Sequence, residues 1–266
     1  RDRVSASQAS DGNAAMTRSG ATITVFAPDG VPQVAAGDDL ATLVLAAHTP
    51  EDGDIVVLAQ KIVSKAEGRL VPLDTVTPSP RAVELAAECD KDPRLVELVL
   101  SETDEVMRVR RGVLIVRHRL GLVLANAGID QSNIDHARPA ALLLPRDPDA
   151  SAAVLRDALR ARAGADVAVL VIDSLGRAWR NGTTGTAVGA AGLPALLDLR
   201  GTPDIYGRRL ETSELGLADE IAAAASLAMG QAGEGRPLAI VRGVPYARRE
   251  GNAAELVRPR ALDLFP

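Results

Sequence analysis

The chain has 266 residues, of which 47% are hydrophobic and 24% charged, and its formal net charge is −5. This length allows one large domain or two small ones with a real core. The acidic balance and the lack of a basic tract give no reason to expect a nucleic-acid partner. No apolar run approaches the roughly 20 residues that span a bilayer. The single cysteine, Cys89, excludes an internal disulfide framework and favours a cytoplasmic protein.

Residues 1–20 lack an apolar segment, which predicts a disordered tail or a leader rather than a signal peptide. From there the hydrophobic pattern predicts, in chain order, a strand over 21–27, a helix over 37–48, a strand that starts at 54 and turns polar at Gln60, helices over 79–90 and 92–103, antiparallel strands over 105–125, a strand over 140–145, a helix over 147–164, a strand over 167–174, a helix over 216–235 and a strand over 237–244. This order favours an α+β or mixed α/β architecture over a regular doubly wound sheet.

Capping residues indicate where four of these helices begin. Asp38 is the expected N-cap of the helix over 37–48, and Ser79, Asp92 and Asp147 each stand directly before a proline. Gly164 is the expected C-cap of the helix over 147–164.

The stretch "DSLGRAWRNGTTGTAVG", residues 173–189, follows the apolar run "VAVLVI". It is not a phosphate-binding P-loop, because Gly176 and Gly182 enclose five residues and Thr183 stands where the motif needs lysine. A phosphatase of the haloacid-dehalogenase type needs a second aspartate two residues after Asp173, and position 175 is leucine. Both functions are therefore excluded for this stretch.

Asp173 and Ser174 nevertheless supply hard oxygen ligands at a strand end, of the kind that Mg²⁺ or Mn²⁺ prefers. Arg177 and Arg180, in the polar loop expected to follow, are suited to phosphate oxygens. A capped turn followed by a solvated loop is the alternative. The stretch thus indicates a metal and phosphate site or a polar connection.

Three other polar segments are candidates for the same chemistry. Asp130 offers a second carboxylate and Asn133 an amide after an apolar strand, although Asx-rich turns are common in proteins without a site. The glycines of 228–237 surround Gln231 and allow close approach to phosphates, or they simply cap a helix. Lys61 and Lys65 contact a triphosphate or are ordinary solvated lysines.

Several long motifs occur in one order over residues 21–245, namely "AQKIVSKAEGR", "GLVLANAGIDQSN", "LLPRDPDASA", "VLVIDSLGRAWRNGTTGTAVGAAGL", "DLRGTPDIYGRRL" and "ADEIAAAASLAMGQAGEG". Together they resemble the coenzyme F-420 γ-glutamyl ligases. We expect the stand-alone form, without the nitroreductase-like domain of the fused actinobacterial proteins. The resemblance implies a two-lobed γ-glutamyl ligase unit over 21–266 that forms an intertwined homodimer.

The resemblance also implies a reaction. Relatives of this kind use GTP to join L-glutamate to the deglutamylated deazaflavin cofactor through an acyl phosphate, releasing GDP and phosphate, and add further γ-linked glutamates. The implied cofactors are two divalent cations, Mg²⁺ or Mn²⁺, with K⁺ as a further candidate.

Matching the motifs assigns residues to these ligands. Asp130 and Asp173 are expected to hold one divalent ion, and Ser174 and Gln231 contribute to the second. Arg177 and Arg180 are expected to grip the phosphodiester of the cofactor precursor or the γ-phosphate. The expected GTP contacts are Val31, Pro32, Gln33, Val34, Gln60, Lys61, Lys65, Asn133, Met229, Gly230, Gln231, Ala232, Gly233, Glu234, Gly235 and Arg236.

Three other functions remain open from the residues alone. One is a nucleotide-dependent acid–amine ligase with another acid acceptor, and the second is a non-catalytic nucleotide or deazaflavin binding protein. The third, a purely structural dimer, is the least favoured, because a structural protein has no need of the polar residues of 173–189.

Overall fold

The computed structural model describes residues 21–132 and 138–263, so the tail over 1–20 and Asn133 lie outside the described residues. Within them the chain forms six α-helices and twelve strands. The helices are α1 (Leu40–Ala47), α2 (Gln60–Ala66), α3 (Pro80–Cys89), α4 (Pro93–Ser101), α5 (Pro148–Ala163) and α6 (Leu217–Met229). The strands are β1 (Thr24–Phe26), β2 (Ile55–Ala59), β3 (Leu70–Pro72), β4 (Thr103–Arg110), β5 (Val113–His118), β6 (Val123–Ala125), β7 (Ala140–Leu142), β8 (Ala168–Arg177), β9 (Arg180–Ala191), β10 (Leu197–Asp198), β11 (Glu214–Leu215) and β12 (Leu238–Arg242).

The central sheet has five strands in the order β1-β12-β2-β8-β9. Only β2 and β8 run parallel to each other, and the other neighbours are antiparallel. A three-stranded antiparallel sheet, β4-β5-β6, and the two-stranded pairs β3-β7 and β10-β11 complete the strands. The mixed α/β prediction is confirmed.

Helices cover both faces of the central sheet, which explains why β2 is apolar at every position. Val56 and Leu58 pack on one side, in a core shared with α1, α2 and α5. Ile55 and Val57 point to the other side, where α6 packs. A separate core lies between helices α3 and α4 and the three-stranded sheet.

Two glycines of β9 allow this close packing. A Cβ atom on Gly185 would lie 2.3 Å from the carbonyl oxygen of Ala222 in α6, and one on Gly189 would lie 2.4 Å from that of Pro148 in α5. Any side chain at these positions would push the helices off the sheet.

Most predicted helix starts are confirmed. Ser79, Asp92 and Asp147 each accept a hydrogen bond from a backbone N–H of the helix that follows. The N-cap of α1 is Asp39, which accepts from Ala41 N, so the prediction of Asp38 was wrong by one residue. Asp38 instead accepts a hydrogen bond from Ala35 N at 2.8 Å, which stabilises the preceding turn.

The polar stretch over 173–189 is not a loop, as the sequence had predicted, but most of a long hairpin. β8 continues to Arg177 and β9 begins at Arg180, so that only Ala178 and Trp179 form the turn. Trp179 has a φ of 62°, a conformation that suits tight hairpin turns. None of the helices in the described ranges combines the length and apolar character needed to cross a bilayer.

Candidate metal and nucleotide site

The candidate site lies where the parallel strands β2 and β8 end. Ala59 and Ile172 are register partners at the last shared position. The next residues, Gln60-Lys61 on one chain segment and Asp173-Ser174 on the other, therefore emerge side by side. Carboxyl ends of parallel strands are where ligands bind in open α/β sheets.

Asp173 sits in surroundings that disfavour its charge. Burial raises the pKa of its carboxyl group to about 6, although the amide of Ser174 donates to Oδ1 at 2.8 Å and Lys61 also acts to lower it. The charge of Asp130 raises the pKa further, which places the two carboxylates within electrostatic reach of each other. A carboxylate in such a position is stabilised by a bound cation.

Asp130 reaches the site from another part of the chain. Its backbone forms an isolated β-bridge with Leu142, so strand β7 fixes its position. Lys61 Nζ lies 2.5 Å from Oδ2, and Ser132 donates its backbone N–H to Oδ1 at 2.6 Å. These donors hold the pKa of Asp130 below its usual range, although burial acts in the opposite direction.

Ser174 and Gln231 meet across the mouth of the site. The Ser174 hydroxyl donates to Gln231 Oε1 at 2.5 Å. Helix α6 ends at Met229, and Gly230 turns the chain with a φ of 79°, so the helix end carries Gln231 towards β8. The structure thus brings all four residues predicted as metal ligands to one region.

The donor set fits a hard divalent cation. It combines carboxylate, hydroxyl and amide oxygens, which Mg²⁺ and Mn²⁺ prefer. In the described part of the chain no group of three or more histidine, cysteine or acidic side chains is placed to hold a metal. A metal at this site would therefore rely on two carboxylates, neutral oxygens and its own water or phosphate ligands.

Two of the predicted nucleotide segments lie next to each other. Arg236 Nε donates to Asp29 Oδ1 at 2.6 Å, which ties the glycine-rich segment 229–236 to the chain just before 31–34. Glu234 folds back over its own loop, where its Oε2 accepts from Ala232 N at 2.8 Å. Pro32 and Gln33 are exposed, whereas Val34 and Met229 are buried and can offer only backbone atoms.

Gln60 differs from its expected role. Its side chain is 1% exposed, and Oε1 accepts a hydrogen bond from Ser64 Oγ at 2.8 Å. In this arrangement it faces the interior, so a nucleotide contact through this side chain would require it to turn outward. Lys65 lies close to Lys61, and burial together with that neighbouring charge lowers the pKa of Lys65.

Arg177 and Arg180 are not brought to the carboxylates. They are cross-strand partners at the exposed end of the hairpin. Asp173 and Arg177 are four residues apart on one strand, which separates their Cα atoms by about 13 Å.

One feature near the site gave no clear signal in the sequence. A cavity of about 340 Å³ lies along β9, and it is lined in part by Thr186, Asp149 and Asp219. Thr186 is the register partner of Asp173. Asp149 accepts from Ala190 N at 2.8 Å and Asp219 from Ala187 N at 2.9 Å, so both helix-start carboxylates satisfy the open edge of β9. An acidic residue in the first turn of a helix was the only available indication.

The sequence that forms this site matches a known protein family. The family model described as F420-0:Gamma-glutamyl ligase matches residues 30–243, which include every described residue that was predicted as a metal or nucleotide ligand. The chain belongs to the F420-0:γ-glutamyl ligase family. Membership of this family makes it a ligase.

Curated proteins agree with this family assignment. The chain is 46% identical over 250 residues to the coenzyme F420:L-glutamate ligase of Methanothermobacter thermautotrophicus, covering 91% of this chain and 98% of that protein. It is 45% identical to the protein of the same name from Methanopyrus kandleri, over 88% of this chain and 93% of that protein. The coenzyme F420:L-glutamate ligase of Archaeoglobus fulgidus is 41% identical, over 91% and 96%.

Proposed function

We propose that this member of the F420-0:γ-glutamyl ligase family joins L-glutamate to the deglutamylated deazaflavin cofactor by an amide bond, at the expense of GTP. One observation carries the proposal. In a chain of this family, Asp173, Ser174 and Gln231 converge at the carboxyl ends of β2 and β8, beside the carboxylate of Asp130 and the ammonium group of Lys61. The relatives' own names supply the substrates.

The chemistry explains why such a site needs no protein nucleophile. A carboxylate is a poor electrophile, so one of its oxygens first attacks the γ-phosphorus of GTP, the β,γ-bridging bond breaks and GDP leaves. The amine of L-glutamate then attacks the acyl carbon, phosphate departs with the bonding electrons, and the new amide nitrogen loses its proton. Positioning and charge neutralisation are the main demands of the first step.

Different described residues would supply the metal ligands, the positive charge and the nucleotide-binding surface. Asp130, Asp173, Ser174 and Gln231 would hold the two divalent ions, Mg²⁺ or Mn²⁺, with K⁺ as a further candidate, and the ions would neutralise the charge on the β- and γ-phosphates. Lys65 adds positive charge beside them. The paired segments 31–34 and 229–236 form the nucleotide-binding surface, with backbone groups at Gly233 and Gly235 open to phosphates or base.

The proposal includes the assembly and the setting of the enzyme. It acts in the cytoplasm as a homodimer of two-lobed, intertwined chains and adds further γ-linked glutamates to its product. The lone cysteine, Cys89, is a free, buried thiol, as suits a reducing compartment.

A mass measurement tests the reaction. The full chain is incubated with the deglutamylated cofactor, L-glutamate, Mn²⁺ or Mg²⁺, and either GTP or no nucleotide, and the products are weighed. We expect a glutamyl mass increment that requires GTP and is matched by GDP release. Binding of GTP or deazaflavin without the increment would contradict the proposal and leave a binding protein. GTP turnover only with a different acid would instead identify a ligase with another acceptor.

A further inference from the structure

The ammonium group of Lys61 is held by two short contacts inside the site. Its ammonium nitrogen lies 2.5 Å from Asp130 Oδ2 and donates to Ser132 Oγ at 2.9 Å. Its side chain is 26% exposed, and that of Asp130 is 29% exposed. The ammonium group is therefore held inside the oxygen cluster rather than extended into solvent towards a phosphate.

The two carboxylates of the site are consequently unlike each other. Both oxygens of Asp130 are in use, since Oδ1 accepts the Ser132 amide and Oδ2 accepts both Lys61 and the Ser132 hydroxyl, the latter at 3.1 Å. Asp173, by contrast, has one hydrogen bond to Oδ1, and within the described ranges its Oδ2 accepts none. Of the two carboxylates, Asp173 is therefore the one with an oxygen that accepts no hydrogen bond from the described residues.

A divalent ion and an ammonium group compete for the same oxygen. For a metal to bind Asp130 through Oδ2, Lys61 would have to move away, and the two positive charges would repel each other at short range. At Asp173 the ammonium group of Lys61 acts only through its charge, since among the described residues Lys61 makes no hydrogen bond or ion pair to this carboxylate. The next residue, Ser174, contacts Gln231 instead.

We propose that the ammonium group of Lys61 is a built-in cation that occupies the place of a divalent ion at Asp130, so that the nucleotide-free chain binds one divalent ion, at Asp173, Ser174 and Gln231. The inference rests on the metal site of the proposed function. It means that Lys61 limits how many divalent ions the nucleotide-free chain binds. It makes Lys61 a positioning residue for Asp130.

Counting bound Mn²⁺ tests the inference without any catalytic turnover. The full chain is titrated with Mn²⁺ in the absence of nucleotide, and free Mn²⁺ is followed by electron paramagnetic resonance. We expect one ion per wild-type chain. Lys61→Met should bind a second ion, or hold one at Asp130 at least about tenfold more tightly, because a full positive charge next to the carboxylate is removed.

Matched variants locate the gained ion. Lys61→Arg keeps the charge and should still bind one ion, and Lys91→Met removes a lysine in the turn between α3 and α4, outside the site, and should also bind one. The double variant Lys61→Met with Asp130→Asn should lose the second ion again. Lys61→Gln removes the charge but keeps a polar head group, and it provides the same comparison should Lys61→Met fail to fold.

Three results would overturn the inference. They are two ions on the wild-type chain, unchanged binding in both neutral Lys61 variants, and no Mn²⁺ binding to the wild-type chain at all. The last would also remove the metal site from the proposed function, whereas the mass measurement decides separately whether the chain is a glutamate ligase.

Discussion

At the scale of single residues, the carboxyl group of Asp173 stands out by its pKa, which burial raises to about 6. Asp173 and Ser174 follow an apolar strand directly, so their position at a sheet end is a local property of the chain. The contacts of Lys61 were not predictable, because they depend on Asp130 and Ser132, about 70 positions away in the chain. The inward turn of the Gln60 side chain was hidden for a similar reason, since a polar residue after a strand looks exposed in the sequence.

Asp173→Asn tests whether catalysis depends on the negative charge of this carboxylate. We expect turnover to fall by orders of magnitude, because the amide cannot supply the negative oxygen that a metal needs. We also expect the metal-free protein to become more stable at pH 7. The amide keeps the acceptor for Ser174 N at Oδ1 and removes a carboxylate whose pKa is raised to about 6.

The sign of the pH effect follows from that pKa. Between the unfolded value of 3.8 and the folded value of about 6, the folded protein holds more protons than the unfolded chain, so its stability falls as pH rises through this window. The stabilising effect of Asp173→Asn should therefore be absent near pH 4 and reach about 1–2 kcal/mol by pH 7. Thermal unfolding in EDTA at the two pH values measures it. A near-wild-type rate would remove Asp173 from the metal site.

At the scale of elements, β9 is a strand that the residue pattern did not predict. β9 has the sequence "RNGTTGTAVGAA", in which glycine, threonine and alanine replace the alternation of large apolar side chains that marks a strand. It is a strand because β8 pairs with it along its whole length and because Asp149 and Asp219 accept hydrogen bonds from its outer edge. Two of its glycines, Gly185 and Gly189, favour a loop in the sequence but are positions where α6 and α5 approach the strand closely.

The length of this hairpin constrains the role of Arg180. It stands at the tip, about 13 Å along the strand from the level of Asp173, farther than an arginine side chain extends. If the arginine contacts the cofactor precursor, Arg180→Ala should raise the KM for the precursor severalfold and leave the KM for GTP unchanged. Steady-state kinetics with each substrate varied in turn measures both, and Arg208→Ala, in another exposed loop, is the control. Unchanged constants for both substrates would end this role.

At the scale of the whole molecule, the sequence predicted the mixture of helices and strands, but it missed α2 and β9 and did not predict how the elements are arranged. The parallel pairing of β2 with β8 joins segments more than 100 residues apart, and no local pattern encodes it. The same pairing brings Lys61 next to Asp173, and the end of α6 then adds Gln231. The chemical character of each site residue could therefore be predicted from the sequence. That these residues lie close together could be known only from the fold or from the family resemblance.

A buried ionic cluster joins distant segments of the molecule around Glu102. Arg69 Nη2 lies 2.7 Å from Oε1, while Arg119 Nε and His118 Nε2 lie 2.9 Å and 3.4 Å from Oε2. The same arginines donate to the carbonyl oxygens of Leu144 at 2.9 Å and of Arg146 at 2.6 Å. The carboxylate thus connects the three-stranded sheet to the segment that leads into α5.

Glu102→Gln should reveal how much this cluster contributes. Burial alone would raise the pKa of Glu102, but His118, Arg69 and Arg119 outweigh it and lower the pKa to about 2. Because the folded value lies below the unfolded value of 4.5, the carboxylate stabilises the fold fully above about pH 4.5, and this contribution is lost as pH falls towards 2. We expect the variant to lose about 2–3 kcal/mol at pH 7, where the substitution leaves the partly buried Arg69 and the more exposed Arg119 without their counter-charge, and the difference from wild type to shrink steadily between pH 4.5 and 2. Urea titrations across that range measure the free energy of unfolding, with Glu84→Gln, an exposed partner of Arg81, as the variant expected to change it by less than about 0.5 kcal/mol. A Glu102→Gln penalty that does not vary with pH would mean that packing, rather than the charge of Glu102, holds these segments together.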